Sequence, residues 1–363
     1  MGPAGMGNSY AQRLERWLDP FSDHEAVAIA EEMVNRGFTY DTPFAFALIL
    51  GPLPDLALDS PPPSWMAARA GGDDILLRFR RALRDLAEKS RFSDFLHDNR
   101  ELFDNLVAQS SEGYDPQRIS GWMESFYGYG ADGYHTVLAP ASFPTGGYGV
   151  GITSGNGEWH LYNIARASES GPGTPILPGG RDLEMLAIHE WGHSLADPAV
   201  FAHPDSIRQL EDLYEPVSHL MAEQHYASLQ SFAQEQVLRG IDAFARLEIW
   251  GDAEYQNYVS QMNSRGFYLT AMVAQELASY SDNRSEYETF ADFAPVLLER
   301  MAREEPRPPR PRMRVHPALL VRAILGVVAA VVVFWWITVG MRRRRKQIEE
   351  MHDLDDSDSF SGS

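Results

Sequence analysis

The segment Leu183–Pro198, LEMLAIHEWGHSLADP, constrains this chain's fold more than any other. His189 and His193 are four residues apart, so on a helix they share one face and both imidazoles can reach a single ion. Glu190 then sits beside the open position of that ion, where it can take a proton from water and later deliver it to a leaving amine. Leu183, Leu186, Ala187 and Trp191 surround the motif with apolar bulk, which predicts a buried helix. Gly192 predicts the close approach of another backbone. Asp182 is placed to cap the start, and Pro198 is expected just past the end. A chain built this way must bury the helix and bring a further ligand to it from elsewhere. None of the 363 residues is cysteine, so disulfides and thiolate metal sites are excluded and that ligand is a histidine or a carboxylate.

The position of the third ligand separates subclasses. A metzincin has Gly three residues after the second His and another His three beyond that; here those positions hold Ala196 and Ala199. The other common solution is a glutamate on a later helix, which makes a His2Glu zinc site with one position open. Glu235, in SFAQEQVLRGIDAFARL, is the best candidate, with Arg239 four residues on to orient its carboxylate. Glu223, His219, His225 and Glu276 compete with it. Asp197, four residues after His193, is either a partner of a ligand imidazole or a helix-end residue. Tyr280, Arg284 and Tyr287, in YSDNRSEYETF, are the candidates to stabilise an oxyanion. His135 and His160 read as structural.

Around this helix the chain divides by texture. Residues from about 10 to 120 are helical: DHEAVAIAEEMVNRGF begins at an Asp and ends near Gly37, and DDILLRFRRALRDLAEKS and RFSDFLHDNRELFDNLVAQ repeat its apolar spacing. LGPLPDLALDSPPPSW is a Pro-rich loop. From about 121 to 165 short β-prone runs alternate with turn residues. GVGIT and EWHLYNI flank Ser154-Gly155-Asn156-Gly157 as a hairpin, and the strand over Gly147–Thr153 could offer its edge to an extended peptide. Residues 181–302 are helical again. The class is α+β, mainly helical, with a small sheet before the metal helix, in a domain over 1–303. At 44% hydrophobic residues the chain can bury one large or two ordinary domains.

A Pro/Arg linker (304–317) leads to the apolar segment 318–341, in which Ala323 to Met341 carries no charge; that length spans a bilayer as a transmembrane helix. Trp335 and Trp336 sit near its end, as interfacial aromatics do. The tail 342–363 opens with Arg342–Arg345 and Lys346 and becomes acidic. By the positive-inside rule this puts the tail in the cytoplasm and the domain outside, although Arg307, Arg310, Arg312, Arg314 and Arg322 flank the other end. A formal net charge of -20 excludes nucleic acid as the expected partner.

The chain resembles a bacterial family, domain-of-unknown-function family 4932, whose members are read as zincin-like metallopeptidases. The family's HEFGHSF followed by one residue and Asn-Pro stands here as HEWGHSLADP. FSDHEAVAIAEEMVNRGFTYDTPFAFAL, GGYGVGI, EQVLRGIDAFARL and GFYLTAMVAQELASYSDNRSEYETFADFAPVL also resemble family segments, so the likeness covers most of Tyr10 to Met301. It implies a zincin-like fold with His189, His193 and Glu235 as zinc ligands and Glu190 as general base. Asp197 departs from the family's Asn. Members also carry an export signal and a first strand upstream of the segment matching Tyr10, which points to a late start. The expected function is membrane-anchored, Zn2+-dependent hydrolysis of a peptide or protein substrate. The alternatives are an inactive zincin-like scaffold that binds a cell-envelope partner, and a zinc hydrolase acting on another bond.

Overall fold

The structure, a computed structural model, describes residues 7–58, 60–144, 146–168 and 173–307. The chain divides into two units, 1–309 and 310–363, and the second lies outside the described residues. The expected transmembrane helix at 318–341 and the tail at 342–363 fall there. Among the described residues no helix is long and apolar enough to cross a membrane.

Among the described residues eight α-helices precede the sheet: α1 (Ser9–Leu18), α2 (Glu25–Val34), α3 (Thr42–Leu48), α4 (Ser64–Ala70), α5 (Asp73–Lys89), α6 (Phe92–Asp98), α7 (Arg100–Ser111) and α8 (Pro116–Tyr127). Strands β1 (Gly133–Ala139), β2 (Gly149–Thr153) and β3 (Trp159–Arg166) follow. After them come α9 (Gly180–Phe201), three short helices α10 (Pro204–Arg208), α11 (Glu211–Tyr214) and α12 (Ser218–Glu223), and then α13 (Leu229–Trp250), α14 (Asp252–Ser264), α15 (Thr270–Asp282) and α16 (Phe290–Met301). The protein is mainly helical with one small sheet, as expected of its composition and patterning.

The sheet has the order β1-β3-β2, with β1 parallel to β3 and β2 antiparallel to it. The β2–β3 pairing is the expected hairpin. Side chains alternate across the sheet, and the two faces serve two cores. Val150, Ile152 and Ile164 join Ile29, Met33 and Phe46 of the N-terminal helices. Leu161, on the opposite face, joins Ile188, Trp191 and Leu195 of α9, in a cluster that continues through Phe232, Ile241 and Leu277. Helix α9 is thus a central element, covered by the sheet, α8, α13 and α16.

Four local expectations are corrected. RFSDFLHDNRELFDNLVAQ forms two helices, because Asn99 (φ -101°, ψ 8°) leaves the helical path and turns its amide back on the Phe95 carbonyl at 2.7 Å. Helix α2 is capped by His24, whose Nδ1 accepts from the Ala26 amide at 3.2 Å, and not by Asp23. Helix α8 runs through Gly121 to Tyr127, so strand structure starts later than 121. Helix α9 begins at Gly180, leaving Asp182 in its first turn, and continues beyond Pro198 to Phe201. The missing Pro N–H removes one bond there, while burial of Ala199 and Val200 holds the last turn.

Candidate metal centre

Helix α9 is buried on nearly every side, so its polar residues are enclosed with it. His189 and Glu190 are 7% and 5% exposed, against 3% for Glu235 on α13, which packs across α9. His189 Nε2 lies 3.9 Å from Glu235 Oε2, and His193 Nε2 lies 3.6 Å from Glu235 Oε1. One ligand atom from each of the three residues lies within 4.8 Å of the others. Of the residues expected to bind metal, all three are brought together.

The surroundings fix which ring nitrogens face the cluster. His189 Nδ1 is 3.1 Å from Asp242 Oδ2, and His193 Nδ1 is 3.1 Å from Asp197 Oδ2. Carboxylates on both Nδ1 atoms leave both Nε2 atoms free to ligate, the arrangement that orients metal-binding imidazoles. The Gln234 amide nitrogen donates to Asp197 Oδ2 at 2.6 Å and lies 2.8 Å from His193 Nδ1. The Tyr258 hydroxyl donates to Asp242 Oδ2 at 2.6 Å, and Arg239 places its guanidinium 3.0 Å from Glu235 Oε2 and 3.5 Å from Asp242 Oδ2. Asp197 therefore partners the His193 ring, and Arg239 steadies the Glu235 carboxylate.

These residues fit a divalent ion. Glu235 Oε2 is buried without a hydrogen bond, since the Arg239 contact is close but not aligned as one. A tetrahedral zinc with bonds of about 2.0–2.1 Å sets its ligands roughly 3.3 Å apart, close to the two His–Glu separations. Burial would push the Glu235 carboxyl up, but Arg239, His189 and His193 outweigh it and hold the group below its ordinary value, as an anion. Burial likewise disfavours the His193 cation, yet Asp197, Glu235 and Glu190 overcome that and raise the ring to about 9. A metal ion must therefore displace a proton from His193 at neutral pH.

Glu190 is the uncommitted acid of the site. Among the described residues no side chain or amide bonds its carboxylate, although it is buried. Its neighbour is Gly147, where a Cβ would stand 2.7 Å from Glu190 Oε1. Two residues on, a Cβ at Gly149 would stand 2.0 Å from the Glu190 carbonyl oxygen. The close backbone approach expected at Gly192 therefore occurs at Gly149; Gly192 makes room for the side chains of Leu238 and Tyr127. Trp191 locks the helix to β1 by donating to the His135 carbonyl at 3.1 Å.

The expected oxyanion group is corrected. Tyr280 is fully buried and donates to the Phe126 carbonyl at 2.8 Å. Arg284 reaches the same carbonyl at 2.6 Å and the Glu288 carbonyl at 2.5 Å, while Tyr287 packs edge-on against Phe293. These three close the C-terminal turn of α8 onto α15 and α16, and none of their contacts is with the metal cluster. Competing ligands are also placed elsewhere: His219 pairs with Glu223 on the surface, Glu276 with Arg300, and His225 lies against Tyr40. His135 and His160 bond each other at 3.2 Å on the sheet.

Asp242, Gln234 and Tyr258 were not singled out in the sequence. A usable signal existed for one of them: Glu235, Arg239 and Asp242 fall at i, i+4 and i+7, a charged stripe on one face of the helix.

A family model described as "Domain of unknown function (DUF4932)" matches residues 5–299. Neither the curated proteins nor the solved structures include a match.

Proposed function

The chain belongs to the DUF4932 family, and from the geometry of its site we propose that it is a zinc-dependent peptidase, tethered to a membrane by the apolar segment 318–341. The observation that carries the reading is the free, buried Glu190 carboxylate beside the His189–His193–Glu235 cluster. A structural metal site needs three or four ligands but has no use for an unpaired acid at its side. When bound, zinc supplies a Lewis acid for the scissile carbonyl and lowers the pKa of water toward neutrality.

The chain's own residues do the rest. His189 and His193 hold the ion through Nε2, oriented by Asp242 and Asp197. Glu235 completes the set, held as an anion by Arg239. Glu190 accepts the proton of the attacking water and passes it to the amine as the peptide bond breaks. Strand β2 lies at the edge of the sheet and runs against Glu190, so an extended peptide can pair with its backbone across the site.

The test is Glu190→Gln in the purified chain, assayed on an unstructured protein such as casein. The variant keeps zinc and loses hydrolysis. Equal hydrolysis by both proteins, or none by zinc-loaded wild type on any peptide, removes the peptidase reading.

A further inference from the structure

The pairing of β2 with β3 extends back beyond Gly149. The Tyr148 amide donates to the Ile164 carbonyl at 3.2 Å, and the Ile164 amide donates to the Tyr148 carbonyl at 3.0 Å. Two residues earlier, the Arg166 amide donates to the Gly146 carbonyl at 2.9 Å. Gly146 and Tyr148 therefore direct their backbone groups inward, to β3. In an antiparallel ladder these directions alternate, so the amide and carbonyl of Gly147 face outward from the edge of the sheet. Among the described residues no hydrogen bond occupies them. Gly147 is also the residue whose Cβ would stand 2.7 Å from Glu190 Oε1.

Side chains alternate as well. Gly147 and Gly149 face Glu190 on α9, so Gly146 and Tyr148 face the other side, with Ile164 and the N-terminal helices. On that side Arg166 occupies the space that a side chain at Gly146 would take. A Cβ at Gly146 would stand 3.0 Å from Arg166 Nη2, and beyond its chain neighbours no described atom outside that guanidinium lies within 4 Å of it. The gap is enforced, because Gly146 has a φ of 128°, where other residues are strained. Arg166 rises from β3 and so carries its charge to the outer strand. Its guanidinium carbon lies 4.4 Å over the Tyr148 ring, and Nη1 donates to the Tyr148 hydroxyl at 3.3 Å, which holds it there. The Nε is buried without a hydrogen bond, and among the described residues no carboxylate pairs with the group.

We infer that Arg166 is a specificity-determining residue, selecting peptides that carry an Asp or Glu side chain next to the residue held by Gly147. A peptide added along the edge places alternate side chains on the two faces of the sheet. The residue that pairs with Gly147 faces Glu190, and its neighbour opposite Gly146 faces Arg166. Adjacent strands lie about 4.8 Å apart. With no Gly146 side chain between them, the peptide carboxylate and the guanidinium meet across the edge strand as a charge-assisted pair. The acid stands close to the bond that is cut, because Gly146 and Gly147 are consecutive. The inference rests on the peptidase reading and names the substrate class of that site.

The experiment digests a complex mixture of unstructured peptides with zinc-loaded wild type and reads the cleavage sites by mass spectrometry. Asp and Glu are expected to be enriched at one fixed position beside the cut. For two peptides that differ only by Glu or Gln at that position, kcat/KM should favour Glu about tenfold or more, mainly through KM. That ratio is expected to fall to about one in Arg166→Gln and to turn in favour of a Lys peptide in Arg166→Glu, with thermal unfolding showing that both variants fold. No acidic enrichment in wild type overturns the inference, and so does a Glu/Gln ratio unchanged in Arg166→Gln. A wild type that cuts no peptide removes the peptidase reading by itself. Fluorescence anisotropy of a labelled alanine-based peptide with one central Glu, against its Gln counterpart, then decides the inference separately: equal affinity overturns it, and tighter binding of the Glu peptide that Arg166→Gln abolishes supports it.

Discussion

Replacing Gly149 with Ala tests the contact that sets strand against helix. The added Cβ would lie 2.0 Å from the Glu190 carbonyl oxygen, 2.8 Å from its carbon and 3.2 Å from its Cα. All three are backbone atoms of a buried helix, so no side chain can swing aside. Restoring an ordinary contact of about 3.4 Å requires β2 and α9 to part by roughly 1.4 Å. Overpacking of this kind costs about 3 kcal/mol, the upper end for one inserted methyl, because the backbone itself must move. At roughly 2 °C per kcal/mol for a domain of this size, the thermal midpoint falls by about 6 °C. The same shift carries Gly147 off the Glu190 carboxylate. A misplacement of about 1 Å costs about 10²-fold in rate, so hydrolysis should fall further than stability alone explains. Differential scanning calorimetry and casein hydrolysis measure the two effects. Gly121, in α8, is the control: nothing lies within 4 Å of its added Cβ. Gly121→Ala should stabilise by about 0.5–1 kcal/mol. A Gly149→Ala protein that melts with wild type and hydrolyses at its rate would refute the close-packing argument.

Other predictions concern the metal. Asp242→Asn removes the anion that orients His189, and zinc affinity should fall about 10–100-fold by competition with a chromophoric chelator. The pH dependence follows from His193, raised to about 9 from an ordinary 6.5. In the metal-free chain its protonated form contributes stability that is complete below 6.5 and lost as pH rises through about 9. Zinc competes with that proton, so apparent affinity should rise about tenfold per pH unit toward 9, with about one proton released from His193 per ion near pH 7, read by calorimetry in buffers of different ionisation enthalpy. Glu184→Gln should destabilise the fold by about 1.5 kcal/mol without changing zinc affinity, because it weakens the charged hydrogen bonds that the buried Glu184 carboxylate makes with the half-exposed Arg118 (2.6 Å), outside the cluster.

The three residues of the cluster were legible in the sequence because the information is local. His189 and His193 need only helical spacing, and Glu235 with Arg239 needs only a second helix. The β2–β3 hairpin was legible for the same reason, through its turn residues. What escaped depends on contacts between distant segments. Tyr280 and Arg284 have the chemistry of oxyanion donors, and their spacing cannot reveal that both are spent on the Phe126 carbonyl of another helix. Gly149 reads as one glycine among several until α9 lies against it. Pro198 reads as a terminator, and only the burial of Ala199 and Val200 explains why the helix goes on.

The central claim is a metal bound jointly by His189, His193 and Glu235. Its most direct test is zinc per chain after equilibrium dialysis of wild type, Glu235→Ala and the His189→Ala/His193→Ala double variant, with thermal unfolding to show that each remains folded. About one zinc per wild-type chain is expected, with none retained by the double variant and at least a hundredfold weaker binding in Glu235→Ala. A folded wild-type chain that takes up no zinc, or a Glu235→Ala chain that binds it as tightly as wild type, would contradict the account.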